Sequence, residues 1–250
     1  MRECISASAA IMISADQKWE SGRTLAEKGD FGCATSLAIV SLEEQIKALL
    51  LLVDGQGFQF RKIKGMHAFF QNHSIRYIIA YYIFVMAVFG EDFFRFIYRL
   101  RDNPDHMKEM VSLYQTDKEV MHKKMDRYMM RKIIQLSNEM EWFSRIDIFR
   151  QDGFYSDYDV ELKTPLIITK EQYIETMERL IRVRFAANEM MRALSNPEKE
   201  FSDELEKMQQ KLVQDEMYSK IGDGIAMVSR NRKDPFAFMK EWFNDMRNLD

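Results

Sequence analysis

The chain has 250 residues, 46 % of them hydrophobic, and a formal net charge of −3. That supplies a full core and favours one domain with helical additions over two separate ones. A slightly acidic chain is excluded as a bulk polyanion binder, so any nucleic-acid contact needs a local basic patch.

Ten Gly and four Pro are few for this length, and the abundant Met, Leu, Ile, Lys and Glu favour helix throughout. A first helix is predicted over about Ala7 to Lys28, where Ile11, Ala15, Trp19, Gly22 and Ala26 recur at helical spacing. Gly29 ends it, Asp30 caps the next start, and the short break predicts an antiparallel helical hairpin. The second helix, about Phe31 to Val53, gathers Leu42, Ile46, Leu49, Leu50 and Val53 on one arc. Asp54-Gly55-Gln56-Gly57 then stops it. A third helical region, richest in aromatics, is expected over about Phe69 to Leu100. Within it Tyr77 to Gly90 is uncharged but shorter than the roughly 20 residues of a membrane span, so a buried central helix and no membrane partner are expected. Asn103-Pro104 reads as a cap and first-turn proline opening a helical stretch to about Ile148, as one long helix or two. Between Gln151 and Ile168, Gly153, aromatics, acids and Pro165 predict an ordered loop or short hairpin. Thr169-Lys170-Glu171-Gln172 has capping-box form and starts a helix to about Leu194. Asn196-Pro197 and Asp234-Pro235 open two more, the last amphipathic around Phe236, Phe238, Trp242 and Phe243. The expectation is an all-α chain with one irregular insert, divided into residues 1–196 and a C-terminal helical extension, 197–250.

Cys4 and Cys33 follow no metal-ligand spacing and fit a reducing cytoplasm, and Met1-Arg2-Glu3-Cys4 lacks the apolar run of a signal peptide. No glycine-rich phosphate loop, GxSxG, HExxH or Cys/His zinc pattern occurs, so neither cofactor nor metal site is expected.

Three polar constellations stand out. Glu43, Glu44 and Lys47 lie at i,i+4 and i,i+3 on the second helix: either a solvated ion pair contributing a few tenths of a kcal/mol, or a polar group facing a cleft beside the apolar arc. His73 and Arg76, at i,i+3, share a face on which imidazole and guanidinium can meet one phosphate; the plain alternative is surface decoration. Arg150-Gln151-Asp152-Gly153-Phe154-Tyr155-Ser156-Asp157-Tyr158 reads as a turn with Tyr155 as a buried anchor, or as a support for the site through Arg150 and Asp157. Basic residues gather at Arg61, Lys62, Lys64 and His67, near Phe69, Phe70 and Tyr77, and again at His122, Lys123, Lys124, Arg127, Arg131 and Lys132. Each cluster is either a solvated face or an RNA contact with bases stacked on aromatics.

In order and separation these motifs resemble the AbiV family of bacterial abortive-infection proteins, within the HEPN superfamily of helical nucleic-acid-associated domains. The stretches that carry the resemblance are Ser41-Leu42-Glu43-Glu44-Gln45-Ile46-Lys47, Phe69 to Arg76, and Arg150 to Tyr158, with Pro165 following. Arg76 stands where the family usually has Lys, Phe154 where it has Leu, and Ser156 where it has an apolar residue. The resemblance implies a HEPN-like antiparallel bundle that pairs as a homodimer, a role in stopping translation during phage infection, and activation by a phage-encoded protein. It also implies a metal-independent ribonuclease. His73 would be the acid/base group, Arg76 and Lys47 would stabilise the phosphate, and Glu43 or Glu44 would orient the cations. HEPN nucleases carry Arg and His four to six residues apart. Arg101 with His106 is the second candidate pair, beside Arg61 with His67 and Arg99 with His106; about one such match is expected by chance. The alternatives are a helical module that binds RNA, a nucleotide or a phage protein and blocks translation by occupancy, and a scaffold whose polar motifs only fix the fold.

Overall fold

The computed structural model describes residues 2–102, 108, 112, 117–158, 162–196, 199–214, 223, 236–237 and 239–241. They form seven α-helices: α1 (Arg2–Glu27), α2 (Phe31–Val53), α3 (Met66–Gln71), α4 (His73–Asp102), α5 (Lys118–Asp152), α6 (Lys170–Ser195) and α7 (Lys199–Gln214). The protein is all-α, and the only strands among these residues are the two-residue β1 (Asp157–Tyr158) and β2 (Leu162–Lys163), paired antiparallel with Asp157 opposite Lys163.

α1 and α2 form the expected hairpin. Gly29 takes φ +85°, and the Asp30 carboxylate accepts from the Cys33 backbone N–H at 3.0 Å, satisfying an orphan donor of α2. The two helices approach closely at Gly22, where a Cβ would sit 3.0 Å from the Ala34 carbonyl. α1 begins five residues earlier than its periodicity predicts, because tertiary contacts hold its first turns. Cys4 is buried beside Asp54, and the Ser8 hydroxyl donates to the Ala48 carbonyl at 2.7 Å.

α2 is the central helix, buried almost all round. Leu42, Ile46 and Leu49 fill the core, while Ser36, Ser41, Glu43 and Gln45 are buried with them. Each therefore needs a partner: Ser41 donates to the Ala15 carbonyl at 2.6 Å, and Gln45 donates to the Arg184 carbonyl at 3.0 Å and to Asn188 at 2.7 Å. Asp54 to Gly57 does not stop the chain outright. The helix loosens into one π turn (Asp54–Phe58) and breaks where Gly57 and Gln59 take positive φ.

α4 packs antiparallel to α5. Tyr77 lies by Asp147, the Tyr81 hydroxyl donates to the Leu136 carbonyl at 3.1 Å, and Tyr128 reaches Asp92 at 2.9 Å. The stretch His73–Asp92 is long and apolar enough to cross a membrane, and half of it is buried in the protein. Tyr77, Tyr81, Phe84 and Val88 face the core, leaving Tyr82, Met86 and Phe89 exposed. The helical region expected from Phe69 comprises two helices, α3 and α4, broken at Asn72. The Asn72 side chain accepts from the Ser74 N–H at 2.9 Å, a helix-start signal that the aromatic periodicity obscured. α5 opens at Asp117, whose carboxylate accepts from Val120 N–H; Asn103 and Pro104, expected to open it, lie outside the described residues.

α6 starts on the predicted capping box, Thr169 and Gln172 each accepting the other's backbone N–H. In the C-terminal extension, Gln209 of α7 donates to the Gln56 carbonyl at 2.6 Å, and Phe236 is buried edge-on against Tyr81. Asn196 ends the helix before α7, while Pro197, Asp234, Pro235, Phe238, Trp242 and Phe243 lie outside the described residues.

Candidate active site

Three helices meet at Glu43. α2 supplies the carboxylate, α4 presents His73, Arg76 and Tyr77 from its first two turns, and α5 contributes Asp147 and Arg150 from its last two. Residues 73, 76 and 77 share one helical face because they stand at i, i+3 and i+4. The break at Asn72 places His73 at the first position of α4, where its side chain clears the core.

Glu43 is 2 % exposed, and its two oxygens face different ways. Oε2 accepts from Arg76 Nη2 at 2.8 Å and contacts His73 Nδ1 at 2.6 Å. Oε1 accepts from the Tyr77 hydroxyl and lies 3.6 Å from Arg150 Nε. Burial alone would push this carboxyl up, but hydrogen bonds from His73 and Tyr77 and the Arg76 charge outweigh it and hold it at about 2. Tyr77 is pushed well above the usual phenol range by burial and by the Glu43 charge, so it remains a donor.

Two anions, Glu43 and Asp147, and two cations, Arg76 and Arg150, surround the imidazole. An ionised Glu43 has no hydrogen to donate, so Nδ1 carries it and donates to Oε2. Arg76 Nη2 also lies 2.7 Å from Nδ1; both are donors converging on one oxygen, and that shared acceptor draws them together. In the neutral ring Nε2 then carries the lone pair, on a side chain 45 % exposed to solvent. A carboxylate fixing one nitrogen of a half-exposed imidazole suits a general base.

Arg76 does not fill the role expected of it. Its guanidinium is 2 % exposed, spans Glu43 and the Phe70 carbonyl (3.1 Å), and does not present its charge to solvent. It positions Glu43 and His73. Glu44 and Lys47 pair with each other at 2.7 Å, so of the two adjacent glutamates only Glu43 turns inward. The pairing of Lys47 with Glu43 implied by i,i+4 spacing does not form.

Arg150 does reach the site, and the fold shows how. The Ser36 hydroxyl donates to the Arg150 carbonyl at 2.7 Å, tying the end of α5 to α2. Gly153 follows at φ −83°, so it is glycine for closeness and not for a left-handed turn: a Cβ there would stand 2.2 Å from the Gly32 carbonyl oxygen. A Cβ on Gly32 would in turn stand 2.2 Å from the Pro165 carbonyl oxygen. The third motif is thus a backbone clamp that aims Arg150. Tyr155, expected as a buried anchor, is 62 % exposed and touches Phe154 edge-on. With Gly153 packed on Gly32, the chain leaves the clamp toward solvent, and the anchor is backbone contact. The Asp157 side chain lies outside the described part of the structure; the carboxylate that orients Arg150 is Asp147, at 2.9 Å from Nε and 2.8 Å from Nη2.

The other candidates lie elsewhere. Arg61 pairs with Asp54 at 2.6 Å, eleven residues past Glu43 and about 16 Å along the helix axis at 1.5 Å per residue. Lys62 and Lys64 are exposed nearby. The side chains of His67 and Arg101, and all of His106, are outside the described part. Among the described residues, no three of His, Cys, Asp and Glu gather where they could hold a metal ion.

Two members of the cluster were not expected in it: Asp147, and Tyr77, which the sequence suggested only as an aromatic for base stacking and which is buried. Tyr77 follows His73 by four residues and Asp147 precedes Arg150 by three, so helical spacing from the chosen residues marks both.

Comparison with curated proteins and with solved structures returns no match. The HEPN family model described as AbiV matches residues 3–186, which contain α1 to α5, the clamp and every member of the Glu43 cluster. That is more than half of the chain, which belongs to the AbiV family of HEPN abortive-infection proteins.

Proposed function

We propose that this abortive-infection protein is a metal-independent ribonuclease whose base is His73. The observation that carries the reading is the Glu43–His73 contact at 2.6 Å on a histidine 45 % exposed; with Nδ1 engaged, Nε2 is the nitrogen left for a substrate. RNA carries its own nucleophile. Nε2 takes the proton of a 2′-hydroxyl, the oxygen attacks the adjacent phosphorus, and the P–O5′ bond breaks with the 5′-oxygen taking a proton from water, giving a 2′,3′-cyclic phosphate. His73 stands at the first position of α4, and the positive end of a helix dipole suits the phosphate charge. Cleaved RNA would stop translation, a phage-encoded protein would trigger the activity, and a second copy of the chain would complete the cleft in the cytoplasm, with no membrane involved.

The second reading is a non-catalytic module that binds RNA, a nucleotide or a phage protein and blocks translation by occupancy. The burial of Arg76 favours it, since the guanidinium expected to stabilise the phosphate is spent on Glu43. The deciding experiment is RNA cleavage with EDTA present, by wild type, His73→Ala and Arg101→Ala, with and without phage-infected lysate. The nuclease reading expects cleavage that disappears in His73→Ala and persists in Arg101→Ala. Binding without cleavage in both conditions supports the module, and loss in Arg101→Ala alone moves the site.

A further inference from the structure

The Glu43 carboxylate can orient His73 only if it is itself held in one rotation. Arg76 alone does not do this, because it bonds the same oxygen, Oε2, that His73 uses. Rotation about the last side-chain bond would carry Oε2 away from Nδ1 unless something holds Oε1. Arg150 Nε, at 3.6 Å, stands beyond hydrogen-bond distance of Oε1. The group that bonds Oε1 is the Tyr77 hydroxyl, buried between it and, at 3.3 Å, Asp147 Oδ1. It has one hydrogen and two carboxylates to choose between. The shorter contact gives the hydrogen to Glu43, and Asp147 is already satisfied by Arg150 at 2.8–2.9 Å and by Gln151 at 2.6 Å. The groups facing Tyr77 are thus Glu43 from α2 and Asp147 and Arg150 from α5, two anions and one cation.

We propose that Tyr77 is a positioning residue for the His73 base: its hydroxyl pins Glu43 Oε1, so that Oε2 holds His73 as the Nδ1–H tautomer with Nε2 free. This rests on the reading of His73 as a base. Its role is not to touch substrate, and neither the AbiV resemblance nor the three motifs carries it. An imidazole in water favours the hydrogen on Nε2, which is the wrong form for a base acting through that nitrogen. The carboxylate must hold the less favoured tautomer, and Tyr77 holds the carboxylate.

The test uses the full chain and Tyr77→Phe, which removes the hydroxyl and keeps the buried ring. Imidazole ¹⁵N–¹H correlation spectra, with His73→Asn to identify the signal among four histidines, read the tautomer directly. Wild-type His73 is expected as Nδ1–H, and Tyr77→Phe is expected to move it toward Nε2–H. RNA cleavage by the variant should fall in kcat by about 10- to 100-fold at unchanged KM, the scale seen for partners that orient histidines. A folded Tyr77→Phe protein whose His73 stays Nδ1–H overturns the proposal. Should the variant not fold, the wild-type spectrum decides, because an Nε2–H His73 overturns it too. If wild type cleaves no RNA but the tautomer shifts as expected, the positioning stands and the nuclease reading falls.

Discussion

Two carboxylates, Glu43 on α2 and Asp54 just past its end, are each clamped by an arginine from later in the chain, and they illustrate opposite uses of one ion pair. Glu43 and Arg76 are both 2 % exposed. Asp54 is 7 % exposed, but its partner Arg61 is 58 % exposed and shares the contact with the Arg61 backbone N–H and the Cys4 thiol. The Asp54 pair stitches the start of α1 to the loosened end of α2, and solvent screens most of its Coulomb energy. The Glu43 pair is unscreened, and its carboxylate has acceptor capacity left for a third helix and an exposed histidine. Burial turns the same pair from a surface stitch into a device that orients another side chain.

Breaking the buried pair should have the largest effect. Glu43→Ala strands the Arg76 guanidinium in the core and should cost about 3–5 kcal/mol in chemical denaturation, the scale for removing one partner of a buried pair. If its loss is no larger than that of Arg61→Ala, the contrast between the two regions fails.

Acid sharpens the same contrast. Glu43 titrates at about 2 in the folded chain against an ordinary 4.5. Between those values the unfolded chain binds more protons, so stability is whole above pH 4.5 and falls as the pH drops toward 2. The contribution is about 3 kcal/mol. Denaturation midpoints measured from pH 5 to pH 2 should show this fall in wild type and a shallower one in Glu43→Gln.

The clamp comes next. Gly153→Ala places a methyl 2.2 Å from the Gly32 carbonyl oxygen and the Ser36 hydroxyl. It should destabilise by about 1–3 kcal/mol, since backbone must shift to admit it. Ser36→Ala removes one bond to the Arg150 carbonyl and should cost about 1 kcal/mol in the same assay. Smallest is Arg61→Ala, at most about 1 kcal/mol, diminishing with added salt.

Local signals in the sequence carried far. The Gly29–Asp30 hairpin, the Thr169–Gln172 capping box and the insert between α5 and α6 rest on neighbours within four residues, and each appears as expected. The break at Asn72 was masked because the residues on both sides of it continue the helical apolar pattern. Tyr155 was misplaced for another reason. An aromatic after a glycine resembles an anchor, yet which way it points depends on what the glycine packs against, and Gly153 packs on Gly32, 121 positions earlier in the chain.

The sequence by itself determined that the chain is helical, where α2 and α6 begin, and that His73 and Arg76 share a face. Those properties follow from spacing along one helix. Only the tertiary structure decided that Glu43 turns inward while Glu44 pairs with Lys47, that Arg76 is buried, and that Tyr77, Asp147 and Arg150 complete the cluster. The reason is physical: 3.6-residue periodicity says which side chains stand together, but not which helix they will face. A buried carboxylate takes its role from the donors that other helices bring to its two oxygens.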